Sequence, residues 1–216
     1  ENQDGHVVTR DHDGFGNRLR LIYPDGRSVE SEFDALERST VIRDQQIGLP
    51  IATYAYVGPR RVLERTFRNG TKLTYVNNAG AAVGYDGVKR IARHRHETST
   101  DGTIAEFTYG YNREGHRLFE RRLHQPVGAN AKGEAYTYDS LYRLTAFRVG
   151  SQTPAGGIAV PDTSTAYHLD GVGNRASMVK DAVTTNYTRN VMNEYDTVGG
   201  APNLHRPNLP QMGRYY

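Results

Sequence analysis

The chain has 216 residues, no cysteine, no tryptophan and a net charge of +3, with a pI of about 9.1 and a mean hydropathy of −0.70. Disulfide bracing and cysteine-based nucleophiles or metal sites are thereby excluded, and no apolar stretch approaches the roughly 18 residues of a membrane-spanning helix. The 37% hydrophobic content, with 15 tyrosines, allows a lean core in which broad rings pack while their hydroxyls stay wet or bonded.

Along the chain, the first residues, Glu1-Asn2-Gln3-Asp4-Gly5-His6, have neither the basic start nor the apolar core of a signal peptide. They read as the middle of a repeat, so the chain is expected to be a piece of a longer array. Asp13-Gly14-Phe15-Gly16-Asn17-Arg18 forms a turn, after which Leu19, Leu21 and Tyr23 share one strand face and Arg18, Arg20 and Ile22 the other. Pro24-Asp25-Gly26 reverses the chain, and Val29, Ser31 and Phe33 share a face beyond it. This is period-two patterning around a turn. Leu63, Arg65 and Phe67 lead into Asn69-Gly70, the strongest short-range hairpin signal, and Leu73 and Tyr75 lead out. Asp101-Gly102 turns the chain before Phe107, Tyr109 and Tyr111, and Tyr136 and Tyr138 repeat the alternation. Longer connections, read as loops or widened hairpin ends and not as domain linkers, are expected near residues 44–50, 124–134 and 150–164. The tail, residues 199–216, carries Pro202, Pro207 and Pro210 and is expected to be a cap, a loop or disordered.

One motif recurs through this pattern: an aromatic residue, Asp or Asn, a tight turn, then Arg and a strand. Its copies run Asp13, Gly16, Arg18; Asp34, Arg38; Tyr56, Arg61; Tyr85, Asp86, Arg90; Tyr111, Asn112, Gly115, Arg117; Tyr138, Asp139, Arg143; and Asp170, Gly173, Arg175. The arginines recur every 20 to 32 residues or so, the period of a repeat architecture, in which one unit cannot bury its own apolar face and must stack on its neighbours. The reading is all-β: tandem β-hairpins in a continuous, mostly antiparallel sheet, with residues 1–200 as one array and 201–216 as a proline-rich tail. Within each copy the Asp can accept from turn N–H groups, Gly can take positive φ, and Arg can reach a carboxylate or carbonyl of the adjacent unit. The tyrosines are expected to stack in a ladder along one face.

These copies identify a resemblance to the YD-repeat, or RHS-repeat, proteins over about residues 11–200. Tyr138-Asp139-Ser140-Leu141-Tyr142-Arg143-Leu144 and Asp170-Gly171-Val172-Gly173-Asn174-Arg175 are similar to the family's Tyr-Asp-x-x-Gly-Arg-Leu and Asp-x-x-Gly-Asn-Arg patterns, and Asn193-Glu194-Tyr195 to a late-repeat variant. The resemblance implies a sheet coiled into part of a hollow shell, with a structural role and no chemistry of its own. In the family such shells enclose a toxin or effector segment of the same polypeptide, as in the C components of insecticidal toxin complexes, and animal teneurins carry a related shell. Partners implied are neighbouring repeats and an enclosed effector, in a secreted or cell-surface bacterial protein. The alternative is a recognition module binding glycan or a cell-surface receptor through the tyrosine-rich face. Family shells often end in Pro-x-x-x-x-Asp-Pro-x-Gly-Leu, which has no counterpart here, so self-cleavage is not expected. At about seven repeats the chain is too short to close a full cocoon.

Other chemistries find little support. Counted from Asp11, the twelfth position of a calcium loop falls on Ile22, which cannot ligate. The glycine pairs Gly14/Gly16 and Gly171/Gly173 neither follow an apolar strand nor open a helix, as a phosphate loop requires. His94 and His96 share a strand face, but a third metal ligand would have to come from as far as His116 or His124. No Gly-x-Ser-x-Gly elbow is present, and the arginines are spread one per repeat among acids, unlike a nucleic-acid footprint. No catalytic residue, cofactor or metal site, nucleic-acid partner or membrane span is expected.

Overall fold

A computed structural model describes residues 6–77, 79–124 and 131–202. Among these residues every regular element is a strand. The chain divides into two compact units, Glu1–Tyr109 with Arg122–Gly128, and Gly110–Arg121 with Ala129–Tyr216.

The first unit is an antiparallel meander of β1 (Thr9–His12), β2 (Arg18–Ile22), β3 (Ser28–Phe33), β4 (Ser39–Asp44), β5 (Leu49–Val57), β6 (Arg61–Phe67), β7 (Lys72–Thr74), β8 (Arg93–Glu97) and most of β9 (Thr103–Tyr111). Each strand pairs with its sequence neighbour. Side chains alternate between faces. One face therefore carries the rows Ala55–Glu64–Thr74–Arg95–Glu106 and Thr53–Thr66–Lys72–Glu97, and the other Tyr54–Arg65–Leu73–His96. The first is laced with ion pairs, including Arg93–Glu106 at 2.6 Å, Lys72–Asp101 at 2.5 Å and Arg95–Glu97. On the second, His94 stacks on Phe107 and Tyr109 with ring centroids 5.1 and 5.8 Å away.

The second unit continues the same plan through β10 (Arg117–Arg122), β11 (Lys132–Tyr138), β12 (Leu144–Ser151), β13 (Pro161–Leu169), β14 (Arg175–Lys180), β15 (Val183–Arg189), β16 (Tyr195–Val198) and β17 (Ala201–Pro202). Close packing surrounds Phe119, whose ring lies where a Cβ on Gly110 or Gly156 would stand, at 2.1 and 2.2 Å. Among the described residues the buried apolar side chains are only Ala52, Ala131 and Ile158, while Thr74, Glu97 and Gln152 are buried too. Such a lean core explains how a chain of low mean hydropathy folds: cross-strand pairs and ladder hydrogen bonds carry much of the order.

Several expectations are corrected. Residues 44–50 are not a long connection: β4 and β5 meet at Asp44–Leu49, and Gly48 N–H bonds the Asp44 carbonyl at 2.9 Å. Of residues 150–164, both ends are strand, and Thr153–Gly157 closes a small turn of its own. The 124–134 connection lies mostly outside the described residues, with Lys132 onward already in β11. Strict alternation through Val29, Ser31 and Phe33 ends at a register shift between Glu32 and Phe33. The copy at Tyr85–Ile91, among the best in sequence, closes on the isolated bridge Tyr85–Ile91 and leads, after Ala92, into β8. Between β7 and β8 the chain makes a second isolated bridge, Val76–Ala82, while β7 pairs directly with β8. In the tail, Ala201 and Pro202 pair with β16, and residues 203–216 lie outside the described residues.

Candidate functional site

The feature that repeats, and that any function must use, is the motif turn. In the turn opened by Asp34, the Asp34 N–H bonds the Arg38 carbonyl at 3.0 Å and the Glu37 N–H bonds the Asp34 carbonyl at 2.9 Å. The same two bonds close the turns opened by Asp13, Asp86, Asn112, Asp139, Asp170 and Asn190. This is a three-residue hairpin loop whose fourth residue is left-handed and forms a bulge. The ladder shifts register just before the turn at His12, Phe33, Tyr138, Leu169 and Arg189.

The first side chain holds the loop. Asp139 Oδ1 accepts from the Leu141 and Arg143 N–H groups, each at 2.9 Å, and Oδ2 accepts from Arg143 Nε at 2.7 Å. Asp34 and Asp86 repeat this with Arg38 and Arg90. In the longer copies the fifth residue is Asn, and Asn17 or Asn174 donates its amide to Asp13 or Asp170 in place of arginine. In the motif copies whose first residue is Asn, Asn112 and Asn190, the fifth is an acceptor: Asn190 Nδ2 donates to Glu194 at 3.0 Å, and Asn112 Nδ2 lies 3.3 Å from His116 Nδ1. Donor and acceptor exchange places together, so the pair of positions is one unit of chemistry.

These bonds set the charge state. Hydrogen bonding from Arg38 holds the Asp34 carboxyl below its ordinary value of 3.8, and backbone N–H from Arg143 does the same for Asp139. Asp13 is lowered through the Asn17 amide. At Asp86 and Asp170 burial pushes upward, and the bonds from Arg90 and Asn174 outweigh it.

Successive turns are tied by tyrosine and arginine. The residue before one turn is often Tyr, and its hydroxyl donates to a carbonyl just past the preceding turn: Tyr56 to Ser39 at 2.6 Å, Tyr85 to Val62 at 2.8 Å, Tyr138 to Arg117 at 2.9 Å. The preceding arginine covers the ring, Arg38 lying 4.5 Å from the Tyr56 centroid and Arg61 5.4 Å from that of Tyr85, a cation–π contact. Burial and the Tyr75 ring nearby push the Tyr85 hydroxyl up to about 12, so it stays a proton donor. Where Leu169 replaces the tyrosine, Arg143 Nη1 instead donates to the Asp170 carbonyl at 2.8 Å, and Arg38 likewise reaches the Gly58 carbonyl. The motif tyrosines thus pair with arginines more than with each other. The expected ladder is reduced to separate stacks such as Tyr75–Tyr85 at 4.9 Å and Tyr54–Tyr56 at 6.5 Å.

His94 and His96 face each other edge-on at 5.6 Å, and His124 meets Phe107 at 5.0 Å, whereas His116 stacks on Tyr142 in the second unit. Among the described residues no group of three or more His, Cys, Asp or Glu is placed to hold a metal ion.

No known family's sequence profile matches the chain, nor does any curated protein. Solved structures do match in fold. A Photorhabdus luminescens Tc holotoxin pore carrying a TccC3 variant aligns over 85% of this chain at 19% identity with a TM-score of 0.60. The TcdB2-TccC3 crystal structure aligns over 85% at 18% and 0.62, and the form without the hypervariable C-terminal region over 89% at 16% and 0.61. Over the matched stretch the chain shares its fold with these Tc toxin structures, and its motif resembles that of the YD-repeat proteins. It spans about 10% of the length of each of those matched chains. The YD-repeat turn also recurs where its wording is absent. Tyr23, Phe67, Asn77, Thr98 and Thr153 open turns with the same two backbone bonds, and Asn77 Oδ1 accepts from Ala79 and Ala81 as the motif Asp does. The readable signal was Asn followed three residues later by Gly80. Non-glycine residues at the left-handed position, Glu37, Lys89, Tyr142 and Asn193 with φ between 58° and 76°, gave none.

Proposed function

We propose that this chain is a non-catalytic structural repeat array, a stretch of β-shell that encloses or displays a toxin or effector segment within a larger secreted or surface protein. The observation that carries the reading is the use of the motif residues. Asp34, Arg38, Tyr56, Asp139 and Arg143 spend their polar atoms on their own turn and on the next one, as a load-distributing wall requires and a catalytic site does not. The fold shared with the Tc toxin structures supports it. The neighbouring repeats are then the first partners, and an enclosed segment the second.

The glycan-binding alternative needs flat, open rings. Tyr56, Tyr85 and Tyr138 are instead part-buried against neighbouring repeats, which favours the wall.

Limited proteolysis of the full polypeptide that carries these repeats tests containment. A segment shielded by the shell is cut slowly within the intact polypeptide and quickly when expressed without the repeat array. Equal cleavage in both would sink the containment reading, and saturable binding on a glycan array would replace it with recognition.

A further inference from the structure

The departure of residues 75–92 from the ladder creates a pocket. After β7 the chain turns at Asn77–Ala81, and Val76, Asn77 and Gly80 wall a cavity of about 310 Å³ over the charged face. Its remaining lining is Glu64, Lys72, Arg95, Glu97 and Asp101. The lining holds three carboxylates against two cations. Both cations are engaged: Lys72 Nζ lies 2.5 Å from Asp101 and 3.6 Å from Glu97, and Arg95 pairs with Glu97. Glu64 is the carboxylate with no ion pair among the described residues: Lys72 feels its charge but bonds Asp101, and the contact Glu64 makes is a marginal 3.5 Å bond from Thr66 Oγ1. It is half-buried in mid-strand, beside the buried Thr74.

We propose that this cavity binds a primary ammonium group on an alkyl stem, with Glu64 as counter-ion and Val76 against the stem. A part-buried carboxylate with no cation in direct contact is stabilised by a charge-assisted hydrogen bond from such a group. An anion is disfavoured, because it would meet a net negative lining whose lysine and arginine are already neutralised. The ammonium can come from a lysine side chain of a peptide or from a free diamine, and the two differ in whether a backbone flanks the stem.

The test uses the whole chain and NMR titration with Nα-acetyl-lysine methylamide and, separately, pentane-1,5-diamine, with Nα-acetylglutamate as the anionic control. Either cationic probe should shift the amides of Val76 and Gly80, and Glu64→Gln should weaken that binding at least about tenfold, since a charge-assisted bond becomes a neutral one. Val76→Phe fills the cavity and leaves Glu64 in place, so it should abolish binding even if Glu64→Gln perturbs the fold. Binding of the capped lysine alone assigns a peptide source, and binding of the diamine alone a small polyamine. Absence of binding by both cations, binding unchanged in both variants, or equal binding of the acetylglutamate overturns the proposal. Because the site needs no enclosed segment, none of these outcomes bears on containment.

Discussion

At the scale of the residue, the fourth position of the turn decides how much strain each repeat carries. Gly16, Gly115 and Gly173 sit at φ of 88°, 98° and 96°, well beyond the left-handed well that L side chains enter, whereas Lys89 and Tyr142 sit at 76° and 64°. A Cβ at Gly173 would meet open space, Arg143 Nη1 being 3.9 Å away, so backbone strain alone opposes a side chain there. Gly173→Val should therefore destabilise by about 1–3 kcal/mol, read as a lower urea midpoint. Lys89→Gly removes the opposite strain, and after the extra freedom it gives the unfolded chain it should stabilise by about 0.5–1 kcal/mol. The turn carboxylates add a pH dependence. Asp13, Asp34, Asp86, Asp139 and Asp170 all titrate below 3.8 when folded. Their contribution is complete above the unfolded value and is lost as pH falls through the lower folded values. Stability should thus drop below about pH 4, and less steeply in Asp34→Asn/Asp139→Asn; an unaltered acid limb in that variant would contradict the linkage. The effect weakens in high salt, because these groups are solvent-accessible.

At the scale of the element, the turn and its link to the next turn are the unit. Tyr138→Phe removes the donor to the Arg117 carbonyl and should cost about 1 kcal/mol, while keeping the ring against His116 and the strand register. The exchange of donor and acceptor between first and fifth positions gives a sharper check. Asn190→Asp sets a carboxylate against Glu194 and should lower the unfolding midpoint, and the further change Glu194→Arg should restore it, reproducing the Asp139–Arg143 arrangement. Two additive losses would show that the positions are independent. Much of this was legible in the sequence, because Asp-to-Gly-to-Arg spacing encodes local bonds within five residues. What was illegible depends on non-local contact. Nothing in Leu169 announces that Arg143 takes over the link to the Asp170 turn, and the copy at Tyr85–Ile91 reads as well as Tyr138–Leu144 while its Tyr85–Ile91 pair is an isolated bridge and not, like Tyr138–Leu144, part of a strand ladder. The turn at Thr153 escaped because Thr Oγ1 performs the Asp role, the Gly157 N–H bonding it at 3.1 Å; the turn read at Asp101-Gly102 opens on Thr98, whose Oγ1 accepts from the Gly102 N–H at 3.0 Å in the same way. The pocket at Glu64 was equally hidden, since Lys72, Arg95 and Glu64 meet only through strand pairing.

At the scale of the whole molecule, the third residue of the turn forms a recurring surface feature: Phe15, Leu36, Val88, Leu141, Val172 and Met192 are all exposed, between 61% and 81%. Within the second unit the turns that carry Leu141, Val172 and Met192 are tied side by side, Arg143 to Asp170, Arg189 to Asp170 at 2.6 Å and Asn174 to Asn193 at 2.7 Å. The links are all between neighbours, so stability should be close to a sum of local terms. Hydrogen-exchange mass spectrometry on Gly173→Val makes that measurable. Protection should fall in β13, β14 and β15, which meet that turn or pair beside it, and stay within error in β3, β4 and β5, whose Asp34 turn and Tyr56 link are intact. A lean core offers no second layer through which a disturbance could spread, whereas a single cooperative core would lose protection everywhere at once. Uniform loss across both sets of strands would therefore refute the nearest-neighbour account, and confinement to β13–β15 would mean that a long wall of such repeats can tolerate a defect in one turn while its remaining turns hold.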